Sequence, residues 1–156
     1  MENQKTSGKL SDFFSESDYD QISAIVKEVE KNTSGEVKVV ILMHWSEGLE
    51  NNIDGQALSE FAKHGLHNTR DKTGVLILVV MSARQLKILA DEGINAKLPE
   101  GYLQEQVGDM LLHFVDGMYA DGICAVVASV GDRLAQFFPR KEDDTNELSD
   151  EVVVED

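Results

Sequence analysis

Four carboxylates stand where apolar runs begin or end. Glu36 opens the run 37–41, Asp71 precedes the run 74–81, and Asp91 with Glu92 closes the alternating stretch 84–90. Hard oxygen donors drawn from separate loops are what calcium and magnesium take, with backbone carbonyls and water completing the shell. Loop flexibility favours calcium over the stricter octahedron of magnesium.

Other residue patterns invite chemistry and have simpler readings. The single cysteine, Cys124, excludes an internal disulfide and multi-thiolate zinc sites, and it reads as helix packing. Asp18 and Asp20 sit in the first turn of a helix begun at Ser15, where the dipole accounts for them, so they are not read as a phosphatase nucleophile. Glu50, Asn52, Asp54 and Gly55 imitate half of a calcium loop, but Phe61 stands where the bidentate glutamate belongs, so the segment reads as a cap. His64 and His67 share a helix spacing without a third ligand and read as a surface pair. His113 reads as packing, while His44 and Trp45 end a strand at the edge where open α/β sheets usually bind ligands. No glycine-rich phosphate loop is present.

The charge narrows the partners. The chain carries −15, of which residues 141–156 hold −7, leaving about −8 on the body. Such a body repels nucleic acid and anionic membrane and concentrates cations. No charged, apolar leader and no apolar run of membrane-spanning length is visible, so the expected compartment is the cytoplasm.

These residues need a scaffold to bring them together. Ile22, Ile25, Val26 and Val29 recur at helical spacing. A buried strand follows at 36–44, and a helix at about 55–67 carries Ala57, Leu58, Phe61 and Ala62. Residues 74–81 (GVLILVVM) read as a central strand buried on both faces, and 84–90 as its antiparallel partner. Pro99 opens a third helix that breaks at 117–122, and a fourth runs to Pro139. Residues 1–14 are expected as a loose arm, 15–139 as one domain, and 140–156 as a solvated acidic tail in which 152–154 has only weak strand character.

The order α-β-α-β-β-α-α makes the first two strands parallel with a right-handed crossover. The hairpin strand then returns Asp91 and Glu92 to the edge where Glu36 and Asp71 begin their strands. Negative groups converging there call for a cation or separating water.

Three segments, TSGEVKVVI (33–41), HNTRDKTGVLILVV (67–80) and LKILADEGI (86–94), together resemble the TPM-domain family. The stretch GDRLAQFFP (131–139) is similar to its stand-alone bacterial form without a membrane anchor. The resemblance implies a Rossmann-like α/β/α sandwich, calcium binding in some members and a weak acid-phosphatase activity in the plant branch. It places Glu36, Asp71 and Asp91 at the family's acidic positions. The expectation is therefore a domain binding a divalent cation, calcium or alternatively magnesium, through Glu36, Asp71, Asp91 and secondarily Glu92, and acting through a protein partner. The alternatives are a metal-dependent acid phosphatase using the same carboxylates and an interaction module working through its acidic tail.

Overall fold

The computed structural model describes residues 8–141 and 151–156. Helix α1 (Glu16–Glu30) begins at a reciprocal cap: the Asp18 amide donates to Ser15 Oγ at 3.0 Å and the Ser15 amide to Asp18 Oδ2 at 2.8 Å. Then come β1 (Glu36–Leu42), α2 (Ile53–Lys63), β2 (Gly74–Val80), β3 (Gln85–Ala90) and the short α3 (Glu92–Asn95). Helices α4 (Tyr102–Val115) and α5 (Tyr119–Phe137) follow, and β4 (Val153–Glu155) comes last.

The four strands form one mixed sheet in the order β3-β2-β1-β4. β1 runs parallel to β2, with Glu36 opposite Gly74, while β3 is antiparallel to β2 and β4 is parallel to β1. The strand alternation divides the core. Val37, Val39 and Ile41 join Val75, Ile77 and Val79 in a large cluster under α1, α4 and α5. Val40, Leu42, Leu76, Leu78 and Val80 meet Ala57 and Phe61 of α2 on the other face. The result is the expected three-layer α/β/α sandwich, thick on one side and thin on the other.

Several boundaries differ from the expectation. The arm does not stay loose throughout: Leu10 and Phe14 are buried, and Phe14 stacks on Tyr19 with ring centroids 5.6 Å apart. Residues 1–7 lie outside the described residues. The tail is also not merely solvated, because β4 pairs Val153 with Val40. Its placement is reinforced by a Lys63–Glu155 ion pair at 3.3 Å and by the Leu10 amide donating to Asp156 Oδ1 at 2.6 Å. These contacts come from distant parts of the chain, so composition alone did not signal them. The helix at 55–67 closes at Lys63, and Leu66–Asn68 forms a separate 3-10 turn behind Gly65, whose φ is +71°. The fourth helix starts at Tyr119, so Gly122 lies inside it, and a Cβ there would come within 2.7 Å of the His113 Cβ. That glycine serves close packing of α5 on α4. Among the described residues no helix is long and apolar enough to cross a membrane.

Candidate metal centre

The edge of the sheet where β1 and β2 begin gathers the segments as the topology required. The Asp91 amide donates to the Gly74 carbonyl at 2.9 Å, and the Glu36 amide to Thr73 O at 3.3 Å. The loop before β2 is held against the turn after β3 by the Ile94 amide, which donates to Lys72 O at 3.2 Å. A side chain at Gly93 would overlap the Asp71 and Lys72 carbonyls, so only glycine lets the two turns close to this separation.

The side chains assemble less fully than the backbone. Glu36 is buried (2% exposed), Asp71 and Asp91 are half-buried, and Glu92 is exposed as the first residue of α3. Asp91 caps that helix, Oδ1 accepting the Glu92 amide at 2.8 Å. Its other oxygen, Oδ2, is buried and accepts no hydrogen bond from the described residues. Among the described residues no three His, Cys, Asp or Glu side chains come together as a set that could hold a metal ion. The donors that do fit a hard cation are therefore one orphaned carboxylate oxygen, nearby carbonyls and water.

The edge is also not free of bases. Arg70 Nε lies 3.7 Å from Asp71 Oδ2, and Lys72 Nζ donates to His67 O at 3.1 Å. Arg140, from beyond the last helix, donates to the Glu30 carbonyl at 2.7 Å and neutralises the negative end of α1. Arg140 could not be assigned to this edge from sequence, since only the return of the chain after α5 puts it there.

The remaining candidates have structural partners. Asn52 Oδ1 accepts the Gly55 amide at 2.9 Å, so the calcium-loop look-alike is the cap of α2. Trp45 packs on the thin-face core as hydrophobic cover, and His44 is exposed. His113 holds the Asp109 carbonyl through Nδ1 at 2.9 Å. His67 stacks on Phe61 with centroids 6.4 Å apart. Cys124 lies on α5, half-buried, and burial followed by Asp121 and Asp18 pushes its thiol up to about 11.

Sequence reading missed one polar network. Gln56 and Glu60 are buried on the inner side of α2. Gln56 Nε2 donates to Glu60 Oε2 at 3.1 Å and to Ser46 Oγ at 2.9 Å, and its Oε1 accepts the Ser46 amide at 2.9 Å. His64 Nε2 sits 3.1 Å from Glu60 Oε1. The signal was the four-residue spacing of Gln56, Glu60 and His64 along one helix face.

Comparison with known proteins agrees with this architecture. The chain is similar to the BA42 protein of the psychrophilic bacterium Bizionia argentinensis, solved by NMR, with 28% identity and a TM-score of 0.80. The match covers 91% of this chain and 95% of that one. It shares its fold with the N-terminal domain of a P. gingivalis protein, at 22% identity and a TM-score of 0.65 over 80% of this chain and 78% of that one. Among curated proteins none matches the chain. The family model of the TPM domain matches residues 9–133, and the chain belongs to the TPM-domain family.

Proposed function

We infer that this domain binds a divalent cation, calcium before magnesium, at the edge formed by Glu36, Asp71 and Asp91, and that it serves a protein partner rather than turning over a substrate. The observation that carries the reading is the buried Oδ2 of Asp91, without a partner among the described residues, at the junction of two tightly closed turns. A buried carboxylate oxygen without a donor is costly, and a cation with its waters offsets that cost. Asp91 would be the anchoring ligand, with Asp71 and Glu36 adding charge and Glu92 a solvent-side contribution. With few protein ligands, affinity belongs near about millimolar rather than micromolar.

Calcium titration followed by amide NMR tests this. Shifts are expected at 35–37, 70–73 and 90–93, reduced by Asp91→Asn and weaker with magnesium. Amides that stay still at millimolar calcium would remove the site. Hydrolysis of phosphate esters by the same carboxylates is the other reading. It predicts turnover of a generic aryl phosphate that Asp71→Asn abolishes, and binding without turnover excludes it.

A further inference from the structure

The two outer strands of the sheet, β3 and β4, differ in length. β4 is three residues long and pairs with β1, whereas β3 is six residues long and, among the described residues, pairs with β2 alone. Because the Asp91 amide donates to Gly74 O, hydrogen-bonded pairs continue in steps of two at Leu89, Lys87 and Gln85. Leu86, Ile88 and Ala90 therefore turn their N–H and C=O groups outward. Among the described residues no hydrogen bond reaches these groups.

This edge is not a bare ladder. It floors a groove of about 430 Å³ walled by Ile53 and Asp54 of α2 and by Leu103 and Val107 of α4. The walls continue into exposed apolar side chains: Leu111 and Val115 lie one and two turns beyond Val107, and Leu58 one turn beyond Asp54. Leu86 and Ile88 are buried, so these unpaired groups are reached only from the groove. Unpaired backbone groups beside apolar walls are what an added strand uses, the backbone giving affinity and alternate side chains specificity.

Charge selects the occupant. The base in the groove, Lys87, is paired with Asp54 at 3.2 Å. Asp91 and Glu92 stand at the end of the strand, and the body outside residues 141–156 carries about −8. A second copy would bring the same acidic groups to this edge, whereas a basic segment is drawn to it. We propose that the open edge of β3 takes an extended, basic segment of a partner protein as a fifth strand, with its apolar side chains in the groove between α2 and α4. This goes beyond the cation reading and does not depend on it.

The test uses the full chain in EDTA, so that cation binding does not enter. Two peptides share an alternating Val/Thr centre, one flanked by lysines and the other by glutamates. The lysine peptide is expected to shift the amides of Leu86, Ile88 and Ala90 and slow their exchange. It should bind about tenfold more tightly than the glutamate peptide at low salt. Ala90→Pro removes an outward donor that β2 does not use, so the fold is kept while binding weakens about tenfold. Gln104→Lys, an exposed change on the groove wall, should also weaken the lysine peptide, which covers the case of a proline that disturbs the strand. Three results would overturn the proposal. These are silent amides at millimolar peptide, equal binding of the two peptides, and concentration-dependent shifts of these amides in the chain alone, which would assign the edge to a second copy.

Discussion

The two faces of the sheet carry similar strand residues and very different covers. Under α1, α4 and α5 the buried cluster is aliphatic and aromatic and extends from Leu10 to Leu134. Under α2 the apolar cluster is small, and it is joined by the buried polar residues Gln56 and Glu60. Glu36 and Lys38 emerge on that same thin side through the alternation of β1, both under 10% exposed. One short helix cannot bury three strands with apolar surface alone. Its inner face therefore carries side chains that satisfy one another, and stability there depends on hydrogen bonding more than on volume.

That contrast can be broken by substitution. Ile77→Ala on the thick face removes a fully buried side chain of the central strand and should cost about 4 kcal/mol in denaturant unfolding. Glu60→Ala on the thin face removes one of the two acceptors of Gln56 Nε2 and the partner of His64, and should cost about 2 kcal/mol. Glu60→Gln, which keeps shape and one acceptor, should recover at least half of that loss. Equal costs for Ile77→Ala and Glu60→Ala would erase the distinction between the faces. The smallest effect concerns Cys124, which packs against the thick-face core. Its folded pKa is raised from 9.0 to about 11, so its contribution is complete below pH 9 and is lost as pH rises toward 11. Near pH 8 stability should not respond to this group. Its reaction with a disulfide reagent should run about tenfold slower in the folded than in the unfolded chain, the lower thiolate fraction being partly offset by the greater nucleophilicity of a more basic thiolate.

Legibility in the sequence followed the same division. The run GVLILVV announced a strand buried on both faces because every position is apolar, and the whole of β2 is buried. The polar positions Glu36 and Lys38 alternate with valines in β1, which was enough to recognise a strand but not to say that both would be buried. β4 escaped because three residues of an acidic segment gain their order from β1 rather than from their own composition. At the candidate site, topology foretold that Glu36, Asp71 and Asp91 would share an edge, because strand direction alone decides that. It could not foretell the orientation of the carboxylates, the bond from Asp91 to its own helix, or the bases that Arg70 and Arg140 bring.

The joining of β4 to β1 has a kinetic side. Lys38 holds the Glu151 carbonyl across a separation of 113 residues, while β2 and β3 meet through a turn of a few. Closing so long a loop costs entropy, and what offsets it among the described residues is three paired residues and a few contacts of Leu10, Lys38 and Lys63. The hairpin and its parallel neighbour can therefore form early, and β4 is placed among the last steps of folding and the first of opening. Opening of β4 would leave the seven-residue β1 as the outer margin of the sheet in place of a three-residue strand.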